Sequence, residues 1–180
     1  MISVFFILHG CLPDDVTDAV GRDSGVDTSV VDSADTEVDD SAEDTQQDDD
    51  LIQGKWVSKG DDLAPLFVEY FDFVTVEARF RANGNYTVHS VAADGTTYDF
   101  SGTWTGDDST SPGIIVLSQS SPSTATVQGI YEVKSGVLTY EVVQTQPDFG
   151  FTAPTPSSGF GSTAGDGLNP GDNVQVYRRP

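Results

Sequence analysis

From residue 51 to the C-terminus, apolar and polar positions alternate with a period of two, as antiparallel strands do when one face is buried and the other is wet. Eight runs carry the pattern: Gly54–Lys59, Phe73–Arg81, Tyr86–Ala92, Thr97–Thr105, Gly113–Gln119, Ala125–Lys134, Val137–Thr145 and Asn173–Arg179. Three connections read as tight hairpin turns, Ala82-Asn83-Gly84-Asn85, Ala93-Asp94-Gly95-Thr96 and Lys134-Ser135-Gly136-Val137, each with a glycine able to take positive φ. Adjacent hairpins make an up-and-down meander, so the fold class is all-β. On the second strand Val74, Val76, Ala78 and Phe80 face the core; on the fourth Tyr98, Phe100, Gly102 and Trp104 do; on the sixth Val127, Gly129, Tyr131 and Val133 do. A sheet with this facing either wraps on itself or packs as a sandwich. Gly102 and Gly129, on inward faces within strands, suit the bends of a small barrel.

Between the first two strands the period changes. Leu63, Leu66, Phe67, Tyr70 and Phe71 fall at helical spacing, with Asp61 or Asp62 as a cap and Pro65 in the first turn. A short amphipathic helix there would close one end of a barrel; the alternative is an extended loop over 68–72.

Charge divides the chain. Asp14 to Asp50 holds fifteen acidic residues and one basic residue, Arg22, for a net charge of −14 without an aromatic side chain. Such a segment buries too little apolar surface to offset its ordering entropy, so residues 11–50 read as a disordered, charge-extended tether. Residues 51–180 carry both tryptophans and all six tyrosines, enough for one packed domain. The acids in Asp23-Ser24-Gly25-Val26-Asp27 and Asp32-Ser33-Ala34-Asp35 lack the ligand spacing of an EF-hand, so no metal site and no cofactor are expected. Strong negative charge excludes a nucleic-acid partner, whose phosphates need basic surface.

The lone cysteine stands at the junction. Ile2 to Leu8 is an apolar run too short to span a bilayer, which takes about 20 residues. Leu8-His9-Gly10-Cys11 resembles a bacterial lipobox. That resemblance implies that residues 1–10 are a short signal peptide, that Cys11 carries a palmitate-type lipid anchor as the first mature residue, and that the membrane is the partner. Leu12 in the following position leans towards the outer membrane or the cell surface. One cysteine also excludes an intrachain disulfide.

Gly54-Lys55-Trp56 at the first strand, Gly102-Thr103-Trp104 midway along the meander and Tyr177-Arg178-Arg179 at the last strand together resemble the lipocalin-like (calycin) β-barrels, over about 130 residues. The resemblance implies that Trp56 packs under Arg178 or Arg179 to close the barrel. The chain departs from that family in lacking its disulfide and its long C-terminal helix.

Catalysis finds little support. His89 is the one histidine of the mature chain, and in Tyr86-Thr87-Val88-His89-Ser90 it belongs to the polar face, with Ser90 on the opposite one. Asp99, Glu132 and Glu141 all stand on strands, which leaves paired-carboxylate chemistry open. Glu141 is ambiguous: with Val137, Thr139 and Val143 on an apolar face it would be a functional candidate, whereas with Leu138, Tyr140 and Val142 inward it is solvated, the preferred reading. Gln146 to Asp172 is a loop of 27 residues rich in Gly, Pro, Ser and Thr, with three phenylalanines. Loops of that length are usually functional or disordered. Two functions follow. The first is a lipid-anchored envelope protein that binds a small apolar or amphipathic ligand, lined by Tyr98, Phe100, Trp104 and Tyr131 and gated by Phe149, Phe151 and Phe160. The second is a structural or protein-interaction module whose barrel those aromatics fill. An eight-stranded barrel sits at the size where either holds.

Overall fold

The computed structural model describes residues 51–165 and 167–180; the expected signal peptide, Cys11 and the expected tether lie outside them. Eight strands run in chain order: β1 (Gly54–Lys59), β2 (Phe73–Phe80), β3 (Asn85–Ala92), β4 (Thr97–Asp107), β5 (Gly113–Ser121), β6 (Ala125–Lys134), β7 (Val137–Gln146) and β8 (Gln175–Arg178). Each pairs antiparallel with the next, and β1 also pairs with β8 through Val57 and Arg178, so the meander closes into a lipocalin-like barrel. The hairpins turn where glycine permits it, at Gly84 (φ 80), Gly95 (φ 87) and Gly136 (φ 72).

Closure leaves no room for a side chain at two crossings. A Cβ on Gly102 would lie 2.1 Å from the Ser118 carbonyl oxygen, and one on Gly129 would lie 2.0 Å from that of Glu141. The inward faces otherwise follow the expected alternation, with one correction. The pairing of β2 with β3 shifts between Phe73 and Thr75, so Phe73 turns inward and Val74, expected in the core, is left exposed.

After β1 come a single 3-10 turn, Gly60–Asp62, and the helix α1, Pro65–Phe71. The capping expectation fails. Ala64 is the N-cap and makes no side-chain cap bond, while Asp62 pairs instead with Arg178, Nε to Oδ2 at 2.8 Å and Nη2 to Oδ1 at 3.1 Å. Leu66 is buried, and its N–H donates to the Asp172 carbonyl at 2.9 Å, but Tyr70 and Val68 are exposed.

The registers define two ends. One holds α1 and the connections β3–β4, β5–β6 and β7–β8; the other holds the start of β1, the end of β8 and the connections β2–β3, β4–β5 and β6–β7. The outer wall of β2 to β4 carries Glu77, Arg79, His89 and Asp99, the reverse of a lipid-facing barrel surface.

Candidate functional site: the barrel interior

The end opposite α1 is sealed. Trp56, fully buried on β1, donates from Nε1 to the Ile52 carbonyl at 2.6 Å. The Arg179 guanidinium lies 4.3 Å from the centroid of the Trp56 ring, and its Nη1 and Nη2 donate to the carbonyls of Gln53 and Leu51. Of the two arginines left open by the sequence, Arg179 therefore takes the place over the indole, while Arg178 faces outward to Asp62. The arrangement ties the entering segment, the first strand and the chain's end together, and a cation–π contact adds about 0.5–2 kcal/mol. Above this seal the aromatics interlock: Phe80 meets Trp104 at 5.4 Å and Tyr140 at 6.2 Å, and Tyr140 meets Tyr177 at 6.1 Å.

Towards the helix end the packing opens into a cavity of about 120 Å3. Val76, Val88, Phe100, Leu117, Val127 and Val142 wall it, Tyr86, Tyr140 and Tyr177 form its aromatic side, and Phe67 and Phe71 of α1 with Phe73 of β2 complete the lining. Four uncharged polar side chains also reach it, Ser90, Gln119, Asn173 and Gln175. Among the described residues that line it, none is charged. Burial pushes the Tyr86 phenol up to about 12 and holds Tyr140 and Tyr177 well above the ordinary tyrosine range, so the aromatic side stays neutral.

The amides are oriented by the backbone. Gln119 Nε2 donates to the Ser123 carbonyl at 2.9 Å, and Asn173 Nδ2 to that of Val142. The Ala64 N–H donates to Gln175 Oε1 at 2.6 Å, which fixes the flip of that amide. Gln175 Nε2, on a residue only 2% exposed, then has no hydrogen-bond partner.

The seven aromatic residues expected to bind ligand are dispersed. Phe100 lines the cavity. Tyr98 lies beyond it, 5.4 Å from Phe73 near the helix end. Trp104 and Tyr131 lie at the sealed end along an outer cleft of about 330 Å3, where the Tyr131 hydroxyl donates to Asp108. That cleft is lined by Leu51, Ile52, Trp104 and Tyr131 beside exposed Gln53, Thr105 and Asp108, so its wall is mixed polar and apolar and includes a charge. Phe149 is exposed, and Phe151 and Phe160 are half-buried; none of the three lines the interior cavity.

Residues 161–163 of the long loop lie against the outside of the barrel, where Glu141 holds them, while the loop's end at Asp172 reaches α1. Tyr140 and Val142 point inward from β7, so Glu141 points outward, yet it is fully buried. Its carboxylate accepts from the Gly161 N–H at 2.5 Å, the Thr163 N–H at 2.8 Å and the Thr163 hydroxyl at 2.5 Å. The expectation of a solvated Glu141 is thus overturned, because the loop covers the outer wall of β6 and β7. The same cover explains why Ile130 and Val143, also outward, are fully buried. The loop keeps its own shape through the Thr152–Ala164 bridge, with Gly165 pressed against the Phe151 ring. Each buried N–H left unpaired costs about 1–3 kcal/mol, so the carboxylate is what binds loop to wall.

The other two strand carboxylates singled out in the sequence each have partners of their own. Asp99 hydrogen-bonds with His89 Nδ1 at 2.7 Å on the exposed face, and Glu132 pairs with Lys134 and accepts from Ser111. The residues that do converge and were missed are Ser90, Gln119, Asn173 and Gln175. The available signal was an amide on a strand's inward face, as with Gln119 two residues after Leu117 and Gln175 two before Tyr177. Comparison of the chain with models of protein families, with curated proteins and with solved structures finds no match.

Proposed function

We propose that this protein is a receptor for a small apolar ligand, held at the cell envelope by a lipid on Cys11 and displayed on its acidic tether. One observation carries the reading: a cavity of about 120 Å3 inside the barrel, walled by aliphatic and aromatic side chains and free of charge. Drug-sized ligands need roughly 300–1,000 Å3, whereas an engineered apolar cavity of about 150 Å3 takes benzene. The ligand is accordingly a single ring or a short chain. The second reading, a filled barrel serving as an interaction module, draws on the interlocked rings of Phe80, Trp104, Tyr140 and Tyr177 in the sealed half.

The experiment uses the full chain. Benzene-saturated buffer should raise its Tm, and Val142→Phe, which fills the cavity, should abolish the rise. In bacterial fractionation the wild type should follow the membrane and Cys11→Ser should not. An unchanged Tm in benzene overturns ligand binding in favour of the interaction module, and a membrane-bound Cys11→Ser overturns the anchor.

A further inference from the structure

The polar groups of the cavity narrow the ligand further, an inference that rests on the reading of the barrel as a small-ligand receptor. Buried amide groups are almost always hydrogen-bonded, and each exception in a folded protein requires an explanation. Gln175 carries one. Its Oε1 accepts from the Ala64 N–H, so the orientation of the amide is settled by its surroundings and the NH2 group points away from that partner. Nε2 is buried and unpartnered, on a residue that lines the cavity. The two other amides there are employed on carbonyls, Gln119 on Ser123 and Asn173 on Val142. Nε2 itself is enclosed by protein, so a small movement of the Gln175 side chain offers this donor to whatever fills the space, and a donor is satisfied by an acceptor oxygen.

The rest of the lining sets the charge of that oxygen's owner. A carboxylate brought into this cavity would find no lysine, arginine or histidine among the lining residues, and an ammonium would find no aspartate or glutamate. Desolvating either without a counter-charge costs far more than one hydrogen bond returns. The net charge of −21 sets a further barrier against anions. We infer that the barrel recognises a neutral molecule of about one ring's size bearing a hydrogen-bond acceptor, a small cyclic or short-chain ketone, ester or alcohol, whose oxygen is received by Gln175 Nε2. Position agrees with this role. Gln175 opens β8 at the helix end, so the oxygen sits towards the mouth and the hydrocarbon points to the aromatic floor.

The test is a matched series on the full 180-residue chain: cyclohexane, cyclohexanone and cyclohexanecarboxylate, measured by NMR titration against wild type, Gln175→Met and Gln175→Glu. One hydrogen bond contributes about 0.5–1.5 kcal/mol net, so the ratio of ketone to alkane affinity should fall by about two- to tenfold in Gln175→Met. Gln175→Glu keeps an acceptor for Ala64 and, held neutral by the uncharged wall, an O–H donor, so it should recover part of the ketone preference that Gln175→Met loses. Cyclohexane binding to both variants verifies that they fold. If neither does, the wild-type Gln175 side-chain amide resonances decide, shifting with the ketone and staying still with the alkane. An unchanged ratio, still amide resonances, or carboxylate binding as tightly as the ketone overturns the inference while leaving the cavity reading intact. Failure of both cyclohexane and cyclohexanone to bind wild type overturns the cavity reading itself.

Discussion

The two ends of the barrel solve the same problem in opposite ways. At the sealed end three side-chain donors tie the closure together: the Trp56 indole on Ile52, the Arg179 Nη1 and Nη2 groups on Gln53 and Leu51 with the guanidinium over the indole face, and the Tyr131 hydroxyl on Asp108. At the helix end the closure is a seven-residue helix with no side-chain cap bond, three phenylalanines and an amide with an unspent donor. On the proposed reading, the difference separates stability and recognition along the barrel axis. Ser58 Oγ and Gln144 Oε1 are also buried without a partner, but neither residue lines the cavity, so Gln175 Nε2 is the unpaired group that the proposed ligand would meet.

The comparison breaks most easily at Trp56. Trp56→Ala removes a fully buried side chain, the hydrogen bond to Ile52 and the platform under Arg179, so it should cost about 3–5 kcal/mol. Small domains hold only about 5–15 kcal/mol, so the urea midpoint should fall by a large fraction of its value. A midpoint that hardly moves would mean that the seal contributes nothing and that the two ends do not differ in kind.

Alkaline pH sharpens the comparison next. In the unfolded chain a tyrosine releases its proton near its ordinary value of 10, whereas folded Tyr86 holds it to about 12. Between those values the unfolded state binds fewer protons, so stability falls as pH rises. Tyr86 alone accounts for about 2–3 kcal/mol of that loss. Tyr131, Tyr140 and Tyr177, all raised chiefly by burial, act in the same direction. Urea midpoints should be flat up to pH 10 and fall above it, and Tyr86→Phe should flatten the descent. A midpoint independent of pH to 12 would show that the rings are less buried than their packing implies.

How much of this was legible beforehand depends on the range of the interaction. Strand positions and facing were read from a period of two, which is local, and they match to within a few residues at the ends. Even the exception at Val74 arises from a local bulge at Phe73 and Thr75. Height along the barrel is different. Tyr98, Phe100 and Trp104 share one face of β4, but only Phe100 sits at the cavity's level, because level is set by the stagger of neighbouring strands and not by alternation. Glu141 was hidden for a related reason. Its outward direction was readable; the wall on which a loop twenty residues away would settle was not, since that depends on Gly161 and Thr163 finding the carboxylate in three dimensions. The amides were in view as polar residues on apolar faces, a pattern that marks a buried site only once the sheet is known to close.

The mildest perturbation tests the open end directly. Phe71 is half-buried, stacked on Phe73 with centroids 5.3 Å apart and set edge-on to Phe67 at 6.3 Å, between the cavity and solvent. Phe71→Ala removes one ring from this lid while Leu66 keeps α1 attached through its buried side chain and its bond to Asp172. A half-buried ring at the edge of the core should cost about 1–2 kcal/mol, less than Trp56, because little cavity is created that solvent cannot already reach. Its effect belongs in the kinetics. If ligand enters past α1, exchange of benzene measured by NMR line broadening should accelerate several-fold while its affinity changes little, since the walls from Val76 to Val142 are untouched. An exchange rate equal to wild type would place the entrance elsewhere, and a stability loss as large as that of Trp56→Ala would make the helix end a second seal, removing the asymmetry on which the assignment of roles depends.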